Sequence, residues 1–431
     1  MYNKKIETLP LAKLRKVQSK LLKSLISRLY KRVPFYKKLF DELGIQPGDI
    51  SGVDDLYKLP FTHKDDLREN YPYAMFAEPM HEIRRIHASS GTTGKPTVVG
   101  YTQNDLAIFD EVVARSLVCA GARPGMKLHN AYGYGLFTGG LGMHGGATKL
   151  GMAVIPVSGG MTDRQLTILQ DFKPEVMCCT PSYAQTLSDE CKARGINSKE
   201  LAVKYAILGA EPWTEAIRKQ VEEGLDVIAT NIYGLSEIIG PGVSQEDYEE
   251  KGSGSYVWED HFYPEVVHKE TGDPLPYGEE GVLVFTTLTK EAFPLLRYWT
   301  NDICSLHYDP NAKRTHVKMS AIKGRADDML IIRGVNLFHT QVEEVVQQFA
   351  ELTPNYQLVV SKSGNMDDVQ VKVEVDTGVV PEDTDLASRV AERIKNTIGL
   401  SMDVSLQAPG SIPRSQGGKL SRVVDIRMAS E

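Results

Sequence analysis

Cysteine is scarce here, and its spacing shows no pairs. The five residues are Cys119, Cys178, Cys179, Cys191 and Cys304, with no CxxC among them. An odd, unpatterned set excludes a disulfide-built scaffold and points to free thiols in a reducing, cytoplasmic setting. No apolar run reaches the roughly 18 residues that a membrane helix needs, so no membrane-spanning role is expected. The opening MYNKKIETLP has charge but no apolar stretch behind it, so no secretory signal is expected either. An excess of positive charge is also missing. The net charge is −7, which gives no case for nucleic acid as a partner. The basic residues that do cluster (Lys13, Arg15, Lys16, Lys20, Lys23, Arg28, Lys31, Arg32) interleave with leucines at helical spacing. They read as the wet side of an amphipathic helix. Two nucleotide signatures fail as well. No GxGxxG follows a strand. The one Walker-like run has Ser89 for its first glycine and Pro96 where a magnesium-binding hydroxyl belongs.

What is present is a chain of 431 residues, long enough for two or three domains. A helical pattern runs from about Leu9 to Leu43 and is interrupted at Pro34. Thr62 reads as a helix cap over Asp65 and Asp66, and Asn104 as the cap of the helix that follows TVVGYT. A glycine- and aromatic-rich segment, AYGYGLFTGGLGMHGGATKLG, comes next. From AVIPVS to VIATNIYG, short apolar strands alternate with helices, which predicts a doubly wound sheet. Antiparallel β follows, turning at Thr271 to Pro274. The composition changes around KGRADDMLIIR, and a compact α+β module begins there. The expected class is α/β: a large amino-terminal domain (1–326) with mixed, mostly parallel sheets wrapped by helices, plus a small, mobile α+β carboxy-terminal domain (327–431).

One stretch, SSGTTGKPT from Ser89 to Thr97, can hold a polyphosphate. Gly91 and Gly94 free the backbone so that N–H groups can converge on an anion. Ser89, Ser90, Thr92 and Thr93 add hydroxyl donors, and Lys95 adds a charge. A surface turn is the competing reading of the stretch taken alone.

Further motifs follow it in order: GAEPW, YGLSE, FTTLTKE, YWTND, GRADDMLIIRGVNLF and PRSQGGKLSRVVD. Together they resemble those of adenylate-forming enzymes, and within that superfamily the phenylacetate–coenzyme A ligase family. The resemblance covers nearly all the chain from Phe35 onward. It implies an ATP-dependent aryl-acid:coenzyme A ligase that forms an acyl-adenylate and pyrophosphate, then the thioester and AMP. ATP, Mg²⁺ and coenzyme A are the implied cofactors, and an aryl carboxylic acid is the substrate. A homodimer is implied too. The same chemistry on indoleacetate, benzoate or a short acyl acid stays open, as does a non-catalytic nucleotide- or coenzyme A-binding regulator.

The resemblance also assigns residues. The loop Ser89 to Lys95 would hold the β- and γ-phosphates, and Glu237 would bind Mg²⁺. Gly209, Ala210, Glu211 and Pro212 would wall the adenine, with Tyr233 stacked on it beside Gly234; structural packing is the alternative for Tyr233. Asp302 would take the ribose hydroxyls and Arg325 a second contact. Lys419 would meet the substrate carboxylate and the α-phosphate. Asp327 would be the hinge of a rotating domain that brings Gly334 to the coenzyme A channel. The acid would lie against Tyr132, Tyr134, Phe137, Thr138 and Gly139, where a packed core competes for each ring. Cys304, His307, His316 and His261 do not make up a four-ligand set, so zinc is not expected.

Overall fold

The computed structural model describes residues 1–89, 96–326, 330–333, 335–363, 366–415 and 420–427. A 12-stranded sheet forms the backbone of the larger domain. Strands Ala153–Ile155, Lys127–Asn130, Val176–Cys179, Tyr205–Gly209 and Ile228–Leu235 lie side by side in that order, all parallel. Helices Gly139–Leu150, Thr162–Phe172, Pro181–Ala193 and Glu215–Leu225 make the crossovers between them. Gly240–Glu246 then turns back antiparallel on Ile228–Leu235. From there the sheet continues antiparallel through Ser255–Val257, Lys318–Met319, Tyr298–His307, Glu280–Thr287 and Phe262–Val267. The expected mixed sheet is present, but its antiparallel share is larger than the sequence pattern predicts. After Leu235 the chain returns through turns and loops, which antiparallel neighbours permit and parallel ones do not.

The glycine-rich segment is the least expected helix. Glycine is a poor helix former, yet Gly139–Leu150 is helical because it must approach helix Gln103–Cys119 closely. A Cβ at Gly142 would meet Phe109 Cζ at 2.3 Å, and one at Gly146 would meet Val113 Cγ1 at 2.3 Å. Two caps also differ from expectation. Thr102, not Asn104, caps Gln103–Cys119 by accepting from Asp105 N at 3.0 Å. Thr62 is buried against Tyr36 Oη and Leu296 O, and His63 takes the cap position over Asp66.

The smaller domain has its own core. Helices His339–Val346 and Thr384–Ile398 pack on a four-stranded sheet ordered Asp403–Gln407, Met366–Val375, Leu352–Ser363, Val423–Asp425. Val342, Val345, Tyr356, Leu358, Val371, Val390 and Ile394 are buried there, in a cluster separate from those of the sheet domain.

Candidate active site

Hairpin Arg85–Ala88 / Val98–Tyr101 carries the SSGTTGKPT stretch. Ser89 N donates to Thr97 O at 2.9 Å and closes the stem. Ser90, Gly91, Thr92, Thr93, Gly94 and Lys95 lie outside the described residues, as do Asp327, Gly334 and Lys419. Strand alternation puts Arg85, His87 and Ser89 on one face, opposite Tyr101, Val99 and Thr97. Arg85 Nη1, Ser89 Oγ and Thr97 Oγ1 are buried on that face without a hydrogen-bond partner among the described residues. Unpaired buried donors are costly, and the oxygens of a phosphate chain are the kind of group that satisfies them. His87 Nδ1 donates to Leu136 O at 2.9 Å, and burial lowers its pKa against that bond, so the ring stays neutral.

The end of strand Ile228–Leu235 turns through Glu237, which is only 5% exposed. Tyr298 Oη donates to its Oε1 at 3.4 Å, a long bond that leaves most of the carboxylate's accepting capacity open among the described residues. Lys290, which the sequence reading missed, lies fully buried behind it and donates to Glu237 O at 3.3 Å. Its ammonium also stands 4.8 Å from the Tyr101 ring centroid. Burial pushes the Lys290 pKa down to about 8, against the pull of Asp105 and Glu237. Nothing in the TKE run marks this lysine as different from a surface one.

Asp302 lies four residues beyond Tyr298 on strand Tyr298–His307 and is 6% exposed. It collects two predicted neighbours. Tyr233 Oη donates to Asp302 Oδ2 at 2.6 Å, and Arg325 Nη1 lies 3.6 Å from Oδ1. The pairing of the short strand Gly324–Arg325 sets Arg325 directly across from Asp302. Burial, and then the Asp302 charge, raise the Tyr233 pKa well above its usual value, so the phenol stays a donor. Its ring stacks on Phe285 with centroids 6.2 Å apart.

Strand Tyr205–Gly209 ends at the GAEP turn. Gly209 pairs with Ile232 so closely that a Cβ there would meet Ile232 O at 2.2 Å. Ala210 takes a left-handed φ of 76°, which turns the chain sharply at the sheet edge. The Glu211 carboxylate accepts from Ser182 N at 2.7 Å and from Leu420 N at 3.2 Å.

The aromatic segment joins this group through Thr138, whose Oγ1 is 3.2 Å from Ser236 Oγ beside Glu237. Tyr132 is buried with no hydrogen-bond partner for its hydroxyl among the described residues, and a Cβ at Gly139 would sit 3.4 Å from the Tyr132 Cβ. Tyr134 Oη accepts from Asn130 Nδ2 at 2.7 Å and lies 3.2 Å from His144 Nδ1. Phe137 is 50% exposed, which a core ring would not be. Elsewhere, His316 accepts from Glu259 N at Nδ1 and reaches Ile6 O through Nε2, so both ring nitrogens are engaged with backbone.

Residues 31–288 match the family model for the AMP-binding enzyme, and residues 334–427 that for the AMP-binding enzyme C-terminal domain. A phenylacetate–coenzyme A ligase of Thermus thermophilus is 59% identical over 444 residues, covering 99% of this chain and 100% of that protein. A 2-hydroxyisobutyryl-CoA ligase, solved in the postadenylation state with R3-HIB-AMP, superimposes with a TM-score of 0.92. Its identity is 26%, over 99% of this chain and 92% of that one. The same ligase with 2-HIB-AMP and CoA in the thioesterification state gives only 0.73, at 26% identity over 98% and 92%. Coverage barely changes while the score falls, so the two domains are arranged here as in the postadenylation structure.

Proposed function

The chain belongs to the phenylacetate–coenzyme A ligases, within the AMP-binding enzymes, and from that membership we propose its acid, its residue roles and its cycle. It is an AMP-forming acid–thiol ligase, and its acid is phenylacetate. A carboxylate oxygen attacks the α-phosphorus of ATP, and the bond to pyrophosphate breaks, leaving an acyl-adenylate. The sulfur of coenzyme A then attacks the acyl carbon, and the bond to the AMP oxygen breaks. Both barriers fall through positioning and charge stabilisation.

One observation carries most of the reading: Tyr233, Asp302 and Arg325 meet at one point, and Tyr298 on the same strand reaches Glu237. Asp302 accepts the ribose hydroxyls, and Arg325 adds a cationic contact. The backbone of Gly209 to Pro212, with Tyr233 and Gly234, flanks the adenine. Ser89 to Lys95 hold the outer phosphates, supported by the unpaired donors at the loop's stem. Glu237, with its accepting capacity open, fits magnesium held jointly with substrate phosphates. Magnesium, when bound there, neutralises charge on those oxygens. The acid lies along Tyr132, Tyr134, Phe137, Thr138 and Gly139, with Thr138 linking it to the Glu237 turn.

Lys419 neutralises charge at the α-phosphate in the first step. A lid of residues 327–431 then rotates about Asp327 on a body of residues 1–326, and Gly334 comes to the coenzyme A channel. Separate cores and the two TM-scores support this division. A homodimer in the cytoplasm completes the reading; five free thiols support the compartment. The test is thioester and AMP formation over phenylacetate, indoleacetate, benzoate and short acids. The highest kcat/KM is expected with phenylacetate. A higher value for another acid reassigns the substrate, and no product with any acid supports the regulator reading.

A further inference from the structure

We infer that Glu211 is a positioning residue that fastens the Lys419 segment to the body for adenylation, an inference that rests on the proposed role of Lys419. The Glu211 backbone lies in the expected adenine wall, and its two carboxylate oxygens accept from backbone amides on either side of the seam. Oε1 accepts from Ser182 N at 2.7 Å, at the start of helix Pro181–Ala193. The positive end of that helix dipole holds the carboxylate in place. Oε2 accepts from Leu420 N at 3.2 Å, the residue directly after Lys419 and 209 positions away in sequence. The carboxylate therefore bridges a rigid helix end in the body and the backbone beside the reactive lysine.

Other contacts in the same seam are polar and reach neighbouring parts of the lid. Thr214 Oγ1 donates to Glu343 Oε1 at 2.8 Å, and Thr186 Oγ1 to Ser415 O at 3.3 Å. An Arg414–Asp189 ion pair at 3.8 Å lies in the same seam. Among the described residues, the Glu211 bond is charge-assisted and the nearest of these contacts to Lys419 in sequence, so it anchors the chain directly after that lysine. Rotation of the lid breaks this bond, so Glu211 serves the first half-reaction and not the second.

The test uses the full chain and measures the half-reactions apart: pyrophosphate release with ATP and phenylacetate, and thioester formation from preformed phenylacetyl-adenylate and coenzyme A. Glu211→Gln is expected to slow the first by about tenfold and leave the second unchanged. Glu211→Asp, which keeps the charge but shortens the reach, gives the same split with a smaller loss. In a Lys419→Ala background Glu211→Gln adds no further loss, because it acts through that lysine. Equal losses in both half-reactions, a raised KM for ATP alone, or no change in a variant with a normal melting curve overturn the inference. A Lys419→Ala enzyme with intact adenylation instead removes the reading beneath it, so the two failures are distinguishable.

Discussion

The body and the lid hold their parts of the site in different ways. In the body, Asp302, Tyr233 and Tyr298 are set by sheet register, the two tyrosines pack on a continuous apolar core, and Glu237 sits buried in the turn after strand Ile228–Leu235. Lys290 is buried beneath them with no ion-pair partner among the described residues, and only a tight structure sustains that. The lid has its own core and meets the body across a seam of hydroxyls, amides and carboxylates. Contacts of that kind are individually worth little and are easily exchanged for water. On the proposed roles the difference is a division of labour: groups that would hold the nucleotide through both steps sit on the body, and the group needed once sits on the lid.

Several substitutions break or sharpen this contrast. The largest effect belongs to the lid: Lys419→Ala should lower pyrophosphate release by about a hundredfold or more while sparing transfer from preformed adenylate. Rapid-quench assay of the two half-reactions checks it, and equal losses would erase the contrast. A body residue should behave oppositely. Asp302→Ala is expected to slow both half-reactions by about tenfold to a hundredfold, because it removes a charged acceptor for a nucleotide held throughout. The same assay reads it. Packing comes next: Gly146→Val pushes a branched side chain into Val113 and should cost the body about 1–3 kcal/mol in urea melts.

The last effect, absent at neutral pH, is a pH dependence shared by both regions. Burial holds His129 in the body and His339 in the lid neutral, each with a pKa lowered to about 4. The unfolded chain takes up these protons near pH 6.5, the folded chain only near 4. The stability they contribute is therefore complete above 6.5 and is lost as pH falls toward 4. Hydrogen exchange read separately in the two regions should show His129→Asn flattening the acid slope in the body, and His339→Asn in the lid.

Legibility in the sequence followed the range of the interactions. The parallel strands from Ala153 to Leu235 were readable because helix and strand periods alternate there with short loops, whereas strand Lys127–Asn130, four residues long, was not. Asp302, Tyr233 and Arg325 are marked by their motifs in the sequence, and the structure brings them together through register and hydrogen bonding. The glycine-rich helix was not, since local propensity argues against it and only the closeness of Phe109 and Val113 explains it. Lys290 looked like any charged loop residue. The partners of Glu211 lie 29 and 209 positions away, a distance no local pattern spans.

The most direct test of the two-step account omits coenzyme A. With ATP and phenylacetate alone, the enzyme should release a rapid burst of pyrophosphate, about one per active chain, and then stall with bound phenylacetyl-adenylate until coenzyme A is added. Pyrophosphate that appears only after coenzyme A is present, or ADP and phosphate in its place, would contradict the account.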